Sequence, residues 1–182
     1  MVLFGVYNWD IIAVMFSVLA LYSFHKKQYA WSAILLGMGF NAKLFPAVLL
    51  PIMLIKANPG QRIKMAFAFF AVFLALNIYF VIDSFEVWKV TYTFHSLRSP
   101  NIDSIWSFTG LATGTINVLS ALLFLAAYIA LLFSHKRYGI FELGFASLLL
   151  FLSFNKIFSP QYIMWLLPFF VLSAAAAKKL FY

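Results

Sequence analysis

Long apolar runs fill this chain, and the polar interruptions between them are of two kinds. One kind is basic: His25-Lys26-Lys27, Lys56 followed by Arg62 and Lys64, His135-Lys136-Arg137, and Lys178-Lys179. The other carries amides, hydroxyls and a few charges: Asn8-Trp9-Asp10, the stretch from Ser84 to Thr109, and Asn155 to Gln161. The two kinds alternate along the sequence except between Lys27 and Lys56. A helix that crosses a bilayer needs about 20 apolar residues. The runs predict full spans over Tyr7 to Phe24, Met65 to Ile82, Leu111 to Phe133, Tyr138 to Phe154 and Tyr162 to Ala177. The run from Ala30 to Ile55 is long enough for one tilted span, but Asn41-Ala42-Lys43 and Pro46 break its middle. A single crossing would put Lys56, Arg62 and Lys64 on the wrong side, so the pattern favours a broken, re-entrant hairpin. Such a break is tolerated at membrane depth only where protein or a water-filled cavity surrounds it. Phe85 to Phe94 is aromatic and amphipathic and suits the membrane interface.

The expected fold is therefore all-α: a polytopic helical membrane protein with about five full spans plus the broken hairpin. Residues 1–182 form a single transmembrane domain, and residues 84–109 form an external loop. Cytoplasmic loops collect Lys and Arg. The basic loops and the C-terminus are thus expected inside, and the segment from Met1 to Asp10 outside, in a multi-pass protein of the cell membrane. No internal repeat or inverted symmetry of the transporter kind is visible.

Composition agrees with this picture. Hydrophobic residues make up 65% of the chain and charged residues 10%, against roughly 45–50% and 25% in soluble domains. The net charge of +8 would suggest nucleic acid in a soluble protein. Here it is carried mainly by helix-end clusters, which point to anionic lipid headgroups rather than to nucleic acid. With no cysteine, disulfides, thiolate metal sites and cysteine nucleophiles are excluded.

Chemistry is expected on the external face. Lys43 sits within an apolar run, where an ammonium costs about 2.5–3.5 kcal/mol on insertion scales. It either snorkels to an interface or faces a polar cavity and holds an anion. Asp10 suits a helix N-cap, and it can also orient a sugar hydroxyl or a basic partner; Trp9 suits an interfacial anchor. The external loop brings Tyr92, His95, Arg98, Asn101 and Asp103 within a dozen residues. The planar fork of Arg98 suits phosphate. His95 can transfer a proton or donate to phosphate. Asp103 can act as a base or pair with Arg98. Lys156 lies outside against the charge rule, which suggests that its charge binds phosphate or carboxylate. Ser159-Pro160 reads as a helix start, leaving Gln161 and Tyr162 near the external surface. The spacing of His and Asp gives no metal site, and no cofactor is implied.

Several of these segments resemble one family. Asn8-Trp9-Asp10 ahead of an apolar span, Gly37-Met38-Gly39-Phe40-Asn41-Ala42-Lys43-Leu44-Phe45-Pro46, and Ser159-Pro160-Gln161-Tyr162 with Trp165 and Pro168 are similar to the polyprenol-phosphate-mannose-dependent mannosyltransferases. These are membrane glycosyltransferases of the C type. A looser likeness extends to the catalytic subunit of glycosylphosphatidylinositol mannosyltransferases. The resemblance implies inverting transfer of a hexose, mannose in that family, from a polyprenyl-phosphate donor to a lipid or glycan acceptor on the external face. Lys43, Arg98 and Lys156 would hold the donor phosphate, and Asn8, Trp9, His95, Gln161 and Tyr162 would contact substrate. Family members are about twice as long and carry an acidic base in a loop upstream. The chain is accordingly expected to correspond to their C-terminal part and to work with a separate N-terminal half or subunit; Asp10 and Asp103 are the carboxylates offered here as base. A transporter or flippase, or a non-catalytic subunit of a glycosyltransferase complex, are the alternative readings.

Overall fold

A computed structural model describes residues 9–178; Asn8 and Lys179 lie outside the described residues. Among these, all regular structure is helical: α1 (Asp10–His25), α2 (Tyr29–Ala42), a 3₁₀ segment (Phe45–Leu49), α3 (Leu50–Lys56), α4 (Pro59–Asp83), α5 (Phe85–Leu97), a 3₁₀ turn (Ile105–Phe108), α6 (Thr113–Phe133), α7 (Ile140–Phe154), a 3₁₀ turn (Pro160–Tyr162) and α8 (Ile163–Lys178). Helices α4, with 25 residues, and α6, with 21, are long and apolar enough to cross a membrane. Helices α1, α7 and α8 span 16, 15 and 16 residues. Helix α1 begins at Asp10 and not at Tyr7, α7 begins at Ile140 and not at Tyr138, and α8 runs one residue later than the expected span.

Helices α1 and α2 form a tight antiparallel hairpin. Its turn is closed by the amides of Lys27 and Gln28 donating to the carbonyls of Phe24 and Ser23, with Lys27 in the left-handed region at φ 61°; this is the helix-terminating pattern that usually employs glycine. Small residues let the backbones approach. Ala13, Ala20 and Ala33 are fully buried, and the Ser32 hydroxyl donates to the Ala20 carbonyl at 2.8 Å. Gly37 and Gly39 serve opposite neighbours. A Cβ on Gly37 would lie 3.0 Å from Val72 of α4, and one on Gly39 would lie 3.1 Å from Phe16 of α1. Helix α2 is thereby packed between α1 and α4, as small residues permit in apolar bundles.

The chain breaks where Asn41-Ala42-Lys43 and Pro46 predict. Helix α2 stops at Ala42, and Lys43 is extended (φ −162°, ψ 148°). The 3₁₀ segment then returns alongside α1: Leu49 and Leu21 both flank Gly144 of α7, and Leu21 lies three turns from Asp10. Tyr128 of α6 donates its hydroxyl to the Val48 carbonyl, clamping the returning arm. Both arms of the hairpin therefore begin and end near the basic clusters, and its turn at Lys43 points to the opposite end. Phe141 at the start of α7 lies against His25, with ring centroids 5.3 Å apart. This places the His135-Lys136-Arg137 turn at the same basic end.

The opposite end is closed by two interlocked loops. The Asn101 amide nitrogens donate to the carbonyls of Lys156 and Phe158, Ser104 Oγ donates to the Asn155 carbonyl, and the Trp106 indole donates to the last carbonyl of α7, Phe154, at 2.8 Å. The Trp106 bond satisfies a backbone acceptor that the C-terminus of α7 leaves free.

Candidate functional site

The break after α2 delivers Lys43 to the first residue of α1. Its ammonium forms an ion pair with Asp10 Oδ1, and the other carboxylate oxygen accepts from the Trp165 indole at 2.8 Å. Asp10 is buried, with its side chain 9% exposed, whereas Lys43 is 32% exposed. Asp10 is thus the first helical residue and not an N-cap: Trp9 takes the cap position, and no side chain caps the helix. The Lys43 ammonium also lies 4.9 Å from the ring of Trp165 and 5.1 Å from that of Tyr162, within the range of cation–π attraction. Trp165 stacks on both Phe45 and Tyr162, each at 4.1 Å. The proline that interrupts the hairpin is the neighbour of Phe45, so the break builds part of this aromatic wall.

A second polar assembly stands beside the first. Asn77, alone in the apolar run of α4, uses its whole hydrogen-bonding capacity. Its amide nitrogen donates to Asn41 Oδ1 and to the Phe73 carbonyl; its oxygen accepts from the Trp88 indole at 2.8 Å and the Tyr92 hydroxyl at 3.3 Å. Helix α5 buries none of its residues. It is held over the site by those two bonds, by Lys156 and by the Asn117 amide, which donates to the Ser96 carbonyl. Tyr92 titrates above the usual phenol range because burial disfavours its anion.

Two cavities result. The larger, about 440 Å³, lies under α5 and is lined by Asn41, Lys43, Asn77, Trp88, Tyr92 and His95 among others. The smaller, about 250 Å³, is lined by Lys43, His95, Phe45, Asn155, Tyr162 and Trp165 among others. Lys43 and His95 are the polar side chains common to both. Among the described residues neither ring nitrogen of His95 has a hydrogen-bond partner. Partial burial, reinforced by the charges of Arg98, Lys43 and Lys156, holds His95 below the usual imidazole range.

The other expected site residues are distributed unevenly. The Lys156 ammonium is turned onto the carbonyls of Ser96, at 3.1 Å, and Arg98, at 2.7 Å. Burial first and Arg98 second lower its pKa. Its charge is near the site, but its contacts anchor the end of α5. Arg98 is half-buried, donates to Asn101 Oδ1 at 3.4 Å and lies over Phe94. It makes no ion pair with Asp103, which is exposed and lines a separate cavity of about 260 Å³ with Ser104, Asn155 and Phe158. Tyr162 belongs to the aromatic wall. Gln161 is half-buried beside it and lines neither cavity at Lys43. Trp9 is 82% exposed and outside the site. Ser159 precedes the 3₁₀ turn with Pro160 in its first position, without a side-chain cap. Among the described residues no group of His, Asp and Glu is arranged to hold a metal ion.

Asn77 and Trp88 are the residues that sequence reasoning passed over. The signal for Asn77 is the one that exposed Lys43, a polar residue inside an apolar run. Trp88 has no comparable mark, because an aromatic in an amphipathic helix is ordinary. No protein-family model matches the chain, and neither a curated protein nor a solved structure matches it.

Proposed function

We propose that the chain is a polytopic membrane glycosyltransferase, or the C-terminal part of one, that moves a hexose from a polyprenyl-phosphate donor to a lipid or glycan acceptor at the external face of the cell membrane. A bilayer environment is supported by the apolar side chains that α4 and α6 leave uncovered, among them Phe67, Phe70, Tyr79, Leu122 and Phe133. Water-soluble monomers rarely expose patches of this extent. The gathering of the basic turns at one end favours placing that end in the cytoplasm, by the bias of cytoplasmic loops toward Lys and Arg. Non-helical backbone at Lys43 and Asn155 is then admissible because it lines cavities.

The observation that carries the functional reading is one ammonium shared by two cavities of unlike character. The larger presents the hydroxyls of Ser84, Thr91 and Tyr92 and the His95 imidazole, suited to a sugar. The smaller is walled by Phe45, Phe151, Ile157, Tyr162 and Trp165, suited to the apolar chain next to a lipid phosphate. A phosphate between them would meet Lys43, fixed by Asp10, with His95 and Arg98 at hand. Fixed cations at a leaving phosphate stabilise the charge that develops there. Mannose is the donor sugar that the family resemblance favours.

The test is transfer itself. Full-length chain in lipid nanodiscs, alone and with an N-terminal segment of a C-type transferase, is given polyprenyl-phosphate [³H]mannose and a mixed lipid and glycan acceptor. Transfer that is lost on Lys43→Met supports the reading. Donor binding without transfer in either arrangement points to a non-catalytic subunit. Movement of the intact donor between leaflets without transfer would replace the reading with a flippase.

A further inference from the structure

We infer that His95 is the proton acceptor for the attacking hydroxyl, so that this chain supplies its own base. The inference rests on the transferase reading above and names a role within the same site.

Elimination carries the first half of the argument. A hydroxyl proton at neutral pH needs a neutral imidazole or a carboxylate within hydrogen-bond reach. The chain has five carboxylates. Asp10 lies behind Lys43, with one oxygen in the ion pair and the other on Trp165. Asp83, at the end of α4, accepts from Ser84. Glu86 is paired with Lys89 on the exposed side of α5. Asp103 lines another cavity. Glu142 stands in the first turn of α7, at the basic end. None of the five lines either cavity at Lys43. Geometry carries the second half. His95 lines both cavities, so it borders the place where a donor in one and an acceptor in the other would meet.

Its surroundings suit the task. The charged groups facing it are cations from three elements: Lys43 at the end of α2, Arg98 beyond α5, and Lys156 after α7. Burial first, and these cations after it, hold the imidazole below its ordinary range. The bound phosphate, being anionic, offsets them and makes protonation easier when the donor is present. In the step itself the acceptor oxygen attacks the anomeric carbon. The bond from that carbon to the phosphate oxygen breaks, and its electron pair leaves with the lipid phosphate. The hydroxyl proton passes to a ring nitrogen of His95, giving an imidazolium beside the departing phosphate. Solvent then removes that proton.

The experiment compares wild type with His95→Asn and His95→Ala in nanodiscs. His95→Asn should lower kcat by roughly a hundredfold or more, the usual share of a general base, while the donor Kd moves by less than about threefold. The acid limb of the wild-type pH profile should vanish in this variant. Added imidazole should restore part of the rate to His95→Ala. A measurement on unmodified protein guards against misfolded variants: histidine-labelled NMR, assigned with His25→Gln and His135→Gln, should find His95 neutral at pH 7 and its midpoint raised by the donor. Transfer at the wild-type rate by His95→Asn, or an imidazolium at pH 7 before ligand is added, overturns the role of His95 and leaves the transferase reading intact. Absence of any transfer by wild type, with or without the N-terminal segment, overturns both.

Discussion

Replacing Lys43 by Met should cost more stability than replacing Asp10 by Asn, although both break the same ion pair. The reason is which charge is left behind. Lys43→Met strands a carboxylate whose side chain is 9% exposed. Asp10→Asn strands an ammonium that is 32% exposed and can turn toward water, and the new amide oxygen can still accept from Trp165. Removing one partner of a buried pair costs about 3–5 kcal/mol. Because one end of this pair reaches solvent, about 2–3 kcal/mol is expected for Lys43→Met and about 1–2 kcal/mol for Asp10→Asn. The double variant removes both charges and keeps the Trp165 bond, so it should lie within about 1 kcal/mol of wild type, as neutral replacements of buried pairs often do. The coupling is then about 2–5 kcal/mol, well above the roughly 0.3–0.5 kcal/mol scatter of independent sites.

Trp165 reports the measurement, since its ring stacks on Phe45 and Tyr162 and its indole is bonded to Asp10. Thermal unfolding followed by tryptophan fluorescence in nanodiscs, with scan rate held fixed, gives the four apparent midpoints. At roughly 2–4 °C per kcal/mol for a chain of this length, Lys43→Met should fall by about 5–10 °C, and the double variant should recover most of the loss. Additive losses would mean that the pair contributes no coupling, and a larger loss for Asp10→Asn would reverse the burial argument.

Two further outcomes are expected. Asn77→Leu removes the acceptor of Trp88 and Tyr92 and should raise hydrogen exchange across α5, residues 85–97, by about tenfold, corresponding to roughly 1–3 kcal/mol for the stranded donors, with little change in α1; unchanged exchange in α5 would refute the latch. For topology, Ile102→Cys, at a residue 82% exposed, should react with an impermeant thiol reagent on intact cells, whereas Gln61→Cys should react only after permeabilisation; the chain's lack of native cysteine keeps the background clean, and the reverse labelling would refute the orientation. Ser104 is unsuitable for this test because it is buried.

The helices were legible because apolar runs and their polar breaks are local features. Helix α2 stops at Ala42 and α7 at Phe154, at the breaks that Asn41-Ala42-Lys43 and Asn155 mark. What the sequence leaves hidden is pairing at long range. Lys43 and Asp10 are 33 positions apart, and Trp165 is 155 from Asp10. Each looks locally like an ordinary feature, namely a snorkelling lysine, a helix cap and an interfacial indole. Lys43 reaches Asp10 through the packing of α2 on α1, where Gly39 lies against Phe16, and Trp165 reaches it from α8. The same limit explains Lys156. Its place outside the charge rule suggests a ligand, but the fold brings the Ser96 and Arg98 carbonyls to it first.

A paired lysine is a weaker anion binder than a free one, and this bears on how the proposed site would discriminate between donor and transition state. Asp10 cancels one positive charge, so the cations Lys43, Arg98 and Lys156 less this one carboxylate leave +2 around His95, which burial and these cations hold below its usual range. The donor phosphodiester carries a single negative charge. The departing lipid phosphate gains a second as its bond to the sugar breaks. As the acceptor proton passes to His95 the site rises from +2 toward +3 while the phosphate goes from −1 toward −2, so the attraction grows in the transition state, which is the condition for binding energy to accelerate a reaction. Without Asp10 the site would hold +3, favouring the substrate phosphate as well and destabilising itself by repulsion. On this argument the ion pair does two things that a lone lysine cannot. It lets an ammonium stand at the turn of an apolar hairpin, and it tunes the charge of the site to the leaving group.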